Sequence, residues 1–498
     1  MATHVETDIE RTYSAGTVPR AEGLLGLSWP AMVTAGTVVI TAMITHLIAG
    51  FPASGIVLAT GAAIAGPLVI RIRGRSGYER AILLARWVHA RRRRETLYHG
   101  GAFSTLPGRS RKLPGLLVST RLYSGRDIAG WPFGMIHAPK LHEYTIVLAC
   151  WPQGAEAVDQ PIVDRWVAAW GGFLADIGGQ PDVAAIVPVL DTVPETGNRL
   201  LKEVQTLTDP DAPASAREVL WALGTGLPAQ HVRLEARLAI TLRATTPERR
   251  KDPAEQALEI ARRLPGITAA LDEAGVRSRP MTAEEIIAFV RRSFDPSSQP
   301  DLEAAAAEPD GHGLTWDQTG PSEHDERRDH YRHMGAVSVS WEMDAQPQGV
   351  VTERVLTRLL EPNPDLPRKR VAVVYRPHSA AEATTIVDND YKDALVGSQN
   401  QRGGITSAAS VLRVQATEQA RAEQARGHGV SSYGILVTVT NPAGTDLPRI
   451  EALTKDLSTQ CRLHIERCYR YQAAAFAASL GVGVILPEHA SVPKFLEG

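Results

Sequence analysis

The residues best suited to metal chemistry are His324, Asp329, His330 and His333. Imidazoles and a carboxylate this close together can hold a divalent cation when second-layer partners fix their orientation. They lie in a segment, 295–332 with its flank, that carries Pro296, Pro300, Pro309 and Pro321 among acidic, Gly and His residues. With so few apolar anchors, the segment reads as a linker with a solvated charged loop, and no metal or other cofactor is expected. His137 and His142 flank a predicted strand start and read as local hydrogen-bonding residues. Nucleophile and phosphate chemistry fare no better. The chain has no G-x-x-x-x-G-K-[ST] loop, no G-x-S-x-G elbow and no H-E-x-x-H pair, and the Gly-rich stretch 427–434 lacks a lysine. No catalytic residue is expected.

The second concentration of chemistry is basic. Arg71, Arg73, Arg75, Arg80, Arg86 and the run Arg91, Arg92, Arg93, Arg94 fall within 24 residues. Guanidinium groups at this density suit the headgroups of an anionic leaflet or the phosphates of a nucleic acid. Tyr78, Ile82, Leu83, Arg86 and Trp87 recur at helical spacing, which predicts a juxtamembrane helix. The net charge of -2 on 498 residues gives the whole chain no bulk attraction to polyanions, so the effect is local. Three cysteines, Cys150, Cys461 and Cys468, suit a reducing compartment and no disulfide framework.

What positions those arginines is a pair of uncharged runs. Trp29 to Ala49 and Ala53 to Ile70 contain no Asp, Glu, Lys or Arg, and only Gly50-Phe51-Pro52 separates them. Roughly 20 apolar residues cross a bilayer core, so the runs predict a transmembrane helical hairpin over 29–70. The arginines after the second run place that flank, the tail 1–28 and therefore both termini in the cytoplasm of a multi-pass plasma-membrane protein. A cleaved signal peptide and the buried hairpin of a soluble domain are the competing readings. His46 inside the first run is a proton-relay candidate or an interfacial residue.

Beyond the basic helix and a β-rich lead-in (71–142), strands and helices alternate. Tyr144–Ala149, Val183–Leu190 and Arg233–Arg243 read as strands, and Asp159–Ile177, Pro253–Leu264 and Ala283–Ser293 as helices. The pattern restarts after the linker with a strand at Ala336–Met343. A long Ala-rich helical stretch, Ala380 to Arg426, is interrupted at Gly403-Gly404. The fold expected is a membrane-anchored α/β (α+β) protein. Its two-helix hairpin is followed by two successive ferredoxin-like or related α/β units, 143–294 and 333–498, with one sheet face solvated.

Several stretches carry a family likeness: Gly74-Arg75-Ser76, Leu113 to Leu117, Arg121-Leu122-Tyr123, Val163 to Gly178, Val371 to Ala381, Ser432 to Thr440 and the C-terminal LPEHASVPKF. From about residue 23 onward the chain resembles actinobacterial integral membrane proteins that accompany conjugation-type secretion ATPases. Its plan is similar to the E component of type VII secretion, and to a fused membrane subunit and N-terminal domain of a type IV secretion ATPase without the motor. The resemblance implies a non-enzymatic scaffold that docks a separate ATPase, with the lipid bilayer and a possible second copy as further partners. A membrane-tethered nucleic-acid-binding protein that guides DNA to a pore is the alternative.

Overall fold

The structure is a computed structural model that describes residues 13–14, 29–69, 71–72, 75–101, 104, 112–154, 158–226, 231–306, 308, 310–345, 350–399, 408–425 and 429–489. The longer strands that dominate it are rich in β-branched and apolar residues, and shorter polar strands join them. They are β1 (Leu97–His99), β2 (Arg121–Arg126), β3 (Pro132–Ala138), β4 (Glu143–Pro152), β5 (Val183–Pro194), β6 (Val232–Arg243) and β7 (Val276–Pro280). β8 (Glu323–Glu326), β9 (Tyr331–His333), β10 (Ala336–Ala345), β11 (Lys369–Pro377), β12 (Ser431–Pro442) and β13 (His464–Arg467) follow. All join one 13-stranded sheet in the order β1-β8-β9-β10-β12-β11-β5-β6-β4-β3-β2, with β7 also on β4 and β13 also on β10. Its pairings are antiparallel throughout.

This single sheet corrects the expectation of two successive ferredoxin-like α/β units. The joint is β5 against β11, with Arg370 opposite Asp191, Val371 opposite Leu190 and Ala372 opposite Val189. Both strands are buried along most of their length. Left as the edges of separate units, each would expose unpaired backbone amides and apolar side chains, and pairing them removes both liabilities. The segment expected as a linker is part of the same sheet. It supplies β8 and β9, and Trp316 within it is buried, donating from Nε1 to Thr120 Oγ1 at 3.0 Å.

Helices cover both faces, so neither is broadly solvated as expected. Helix α3 (Gln160–Gly178) buries Val163, Phe173 and Ile177, and α6 (Pro253–Glu273) buries Ile260, Leu264 and Leu271, against the β4–β6 side. The helix Leu447–Gln460 packs on β10, β11 and β12 of the same face. On the opposite face one continuous core crosses the β5–β11 joint. It is built by α7 (Ala283–Phe294), Phe476 and strand residues from both halves. A capping box between Thr282 and Glu285 starts α7.

The N-terminal apolar region, α1 (Trp29–Val69), consists of two helical arms that meet at a kink at Gly50. Together they make one candidate membrane span by length and apolarity among the described residues, where two separate spans were expected. Phe51 and Pro52, expected as part of a connector between two helices, are helical, and only Gly50 leaves helical geometry, at φ 78°. A residue without Cβ reaches that region freely, and Pro52 lies in the first turn beyond it, where its missing N–H costs nothing. The bend is sharp enough that a Cβ on Gly61 would lie 2.1 Å from Val38 Cγ1.

Candidate functional site

Charged residues inside apolar strands are the clearest anomaly in the fold, because strand interiors seldom bury charge without a partner. Glu235 and Arg237 on β6, Asp191 on β5 and Arg370 on β11 occupy adjoining positions of three neighbouring strands. All face α7. Asp191 Oδ2 accepts from Arg237 Nη2 at 3.1 Å, and from Arg370 Nε at 3.2 Å and Nη2 at 3.1 Å. Arg292 of α7 grips Glu235 with both terminal nitrogens. Arg233 joins Glu235 and Glu303, while the Arg237 guanidinium lies 4.4 Å over the Phe289 ring.

Burial alone would raise the Asp191 carboxyl, but Arg370, Arg237 and Arg292 hold it below its ordinary value. Glu235 is brought down to about 2 against the same burial by Arg292, Arg233 and Arg237. Both are ionised at neutral pH. The polarity continues past Arg370 into hydroxyls. Thr438 Oγ1 meets Ser340 Oγ at 2.9 Å, Thr440 Oγ1 meets Ser338 Oγ at 2.7 Å, and Ser338 Oγ meets His333 Nε2 at 2.8 Å. A polar band thus runs from β6 to β9 beneath α7 and α12 (Gln472–Ser479), in a sheet otherwise packed with aliphatic side chains.

Beside the band lies an open groove lined by Trp151, Leu201, Leu207, Leu234, Phe289 and the Arg233–Arg237 stretch. It runs between the sheet and α4 (Asn198–Leu207). The charged pairs form part of its wall, so the arrangement suits binding of a polar or anionic group.

The residues singled out from sequence are elsewhere. Trp29, Ala49 and Ala53 lie in α1; Ile70 and Arg73 are outside the described residues. Arg71 and Arg75 sit in a short antiparallel ladder, Arg71 opposite Ser76 and Ile72 opposite Arg75. Arg80 and Arg86 are on α2 (Gly77–Arg92), with Arg91 and Arg92 in its last turn; Arg86 and Arg91 to Arg94 are exposed. Arg91 stacks 5.1 Å from the Trp87 ring, and Tyr78 Oη donates to the Ile64 carbonyl at 2.9 Å, tying α2 to α1. Ser54 Oγ and His46 Nδ1 approach to 3.4 Å across the bend.

The expected solvated histidine loop is instead partly core. His324 and His333 are buried, and His324 Nδ1 lies 2.7 Å from Tyr331 Oη. Burial lowers both imidazoles to about 4, so they are neutral at pH 7. Both nitrogens of His333 and Nδ1 of His324 are used within the fold, and among the described residues no group of three or more His, Cys, Asp or Glu converges. His137, expected to make local hydrogen bonds, stacks on Tyr144 at 4.2 Å with both ring nitrogens unpartnered. Burial there lowers it to about 4, and a neutral ring tolerates the site.

One carboxyl at the end of the band titrates near neutrality. Glu326 accepts from the Ala473 N–H at 3.0 Å, at the start of α12, and burial raises it from 4.5 to about 7. A folded pKa above the unfolded one means its contribution is complete below pH 4.5 and is lost as pH rises through 7. Glu326→Gln keeps the acceptor and removes the charge. It is expected to be more stable than the parent by about 3 kcal/mol at pH 8.5, with no difference below about pH 4. Thermal unfolding of the two proteins across this range checks it, and an unchanged gap at both ends would contradict the assignment.

The fold and the band define an α+β protein built on one antiparallel sheet, with an N-terminal helix long and apolar enough to span a membrane. Residues 20–79 match the family described as a domain of unknown function, DUF8461. That match takes in α1 and the start of α2 and leaves the sheet outside it. No curated protein matches the chain.

Proposed function

We propose that the protein is a non-enzymatic scaffold of a secretion or conjugative-transfer machine at the cell membrane. In this reading α1 anchors it, the arginine-rich flank and the sheet lie on the cytoplasmic side, and a separate ATPase docks on the sheet domain. The observation that carries the reading is helix α5 (Ala214–Gly226). It exposes Val219, Leu220, Trp221 and Leu223, between 42% and 58% each, and adjoins Leu207 of α4, which is 75% exposed. Only Gly224 of α5 is buried, against Leu201 and Val204 of α4. A helix with this many large apolar side chains in water is an interaction surface in waiting. Trp at such a position is a frequent anchor of binding energy.

The test is photo-crosslinking in intact membranes from a reactive residue at Leu220, with the P-loop ATPase of the same machine as the expected adduct. Leu220→Asp combined with Trp221→Ala is expected to lower co-purification of that ATPase by roughly tenfold or more, the size of a lost hot spot. Full retention with both changes would remove the ATPase from this surface. The exposed run Arg91 to Arg94 supports a second reading, tethered binding of DNA, which requires salt-dependent binding by the intact protein.

A further inference from the structure

Where β5, β11 and β12 meet the end of α7, the polar band encloses a cavity of about 20 Å³. Arg292, Arg368, Arg370, Thr192, Thr438 and Thr440 line it, with Ser293 and Asp191. We infer that this cavity binds one monatomic anion, chloride.

Charge gives the first argument. The lining of the cavity itself carries three guanidinium groups (Arg292, Arg368, Arg370) and one carboxylate (Asp191), an excess of positive charge. Asp191, the single acid in the lining, has its Oδ2 occupied by Arg237 and Arg370.

Unused donors give the second argument. Arg370 is 5% exposed, and its Nη1 has no hydrogen-bond partner, although its Nη2 reaches Asp191 and Ser293 Oγ. Arg368 donates to Gln299 Oε1 at 2.5 Å and to the Pro296 carbonyl at 3.5 Å. No carboxylate lies within ion-pair distance of it among the described residues. Burial, with Arg292 and Arg370 nearby, lowers Arg368 to about 10, although the charges of Asp191 and Glu303 oppose the shift. An anion in the cavity would accept from Arg370 Nη1 and neutralise the surplus. A void of this size holds a single water-sized group, which limits the ligand to something small. Half-buried Arg368 and Pro296 at the rim leave a way in.

The test uses the full-length protein in detergent, unfolded thermally in sodium gluconate of constant ionic strength while chloride or phosphate replaces part of the salt. A site specific for the folded state makes the midpoint rise with the logarithm of anion concentration once the site begins to fill. A rise of roughly 2–5 °C between 1 and 100 mM is expected for chloride, with no such rise for phosphate, which is too large for the void. Equal midpoints in chloride and gluconate, or the same rise in phosphate, overturn the inference. Arg368→Gln removes the donor that has no acidic partner, so it should abolish the anion dependence while keeping the far-ultraviolet circular dichroism. A folded variant that keeps the full shift also overturns the inference. If the variant does not fold, the wild-type titration decides alone.

Discussion

Asp191→Ala is expected to lose about 3–5 kcal/mol of stability, the cost of removing one member of a buried ion cluster. Asp191 is 5% exposed and receives hydrogen bonds from Arg237 and Arg370, which are 4% and 5% exposed. Without the carboxylate, two buried guanidinium groups face each other with no charge between them. The loss would lower the apparent unfolding midpoint by roughly 5 °C or more. Asp191→Leu combined with Arg237→Leu and Arg370→Met should recover most of it, because an apolar replacement of a whole buried cluster is often neutral or better. The pair of results separates two roles. If the triple variant is as stable as the parent and loses anion dependence, the band is maintained for binding. A drop below about 1 kcal/mol for Asp191→Ala alone would mean that water reaches the cluster and screens it.

Local structure was legible where periodicity is strong. Helix α3 spans Gln160–Gly178 against an expected Asp159–Ile177, because Val163, Phe173 and Ile177 repeat on one face. Strand β6 spans Val232–Arg243 against an expected Arg233–Arg243, because Leu234 to Leu242 alternate. The Ala-rich stretch forms two helices, Ala380–Gln399 and Ala408–Ala425, and Gln424 Nε2 reaches Thr384 Oγ1 at 3.0 Å between them. Gly403 and Gly404, where a break was expected, lie outside the described residues.

Pairing between distant strands was not legible. Asp191 and Arg370 are 179 residues apart, and strand periodicity carries no information about which partner a strand takes. A signal was nevertheless present. Arg233, Glu235 and Arg237 occupy alternate positions of an apolar strand, which puts them on one face. A charge at such a position calls for an opposite charge on the adjoining strand. The linker expectation failed for a related reason. Its proline and acidic content masks Trp316, Tyr331 and His333, three inward-facing rings that anchor the segment despite its polar average.

The arginine run gives the other large expected effect. Arg91 to Arg94 are exposed at the end of α2, whose start is fixed by the Ser76–Glu79 capping box and by the Tyr78 bond to Ile64. Changing all four to Gln therefore leaves the helix start intact and removes charge next to the anchor. Each arginine is worth about 1 kcal/mol near an anionic leaflet, so the change amounts to about 4 kcal/mol of bias toward the cytoplasmic side. The three native cysteines are buried, so Ser104→Cys provides a reporter for an impermeant maleimide. In intact cells the reporter should stay unlabelled with the arginines present. With four glutamines, a substantial fraction of the protein should become labelled or fail to reach the membrane fraction, while the thermal midpoint of the sheet is unchanged. Labelling of the parent protein would reverse the proposed orientation. An unlabelled quadruple variant that has lost salt-dependent DNA binding would assign the arginines to a nucleic acid instead of the bilayer.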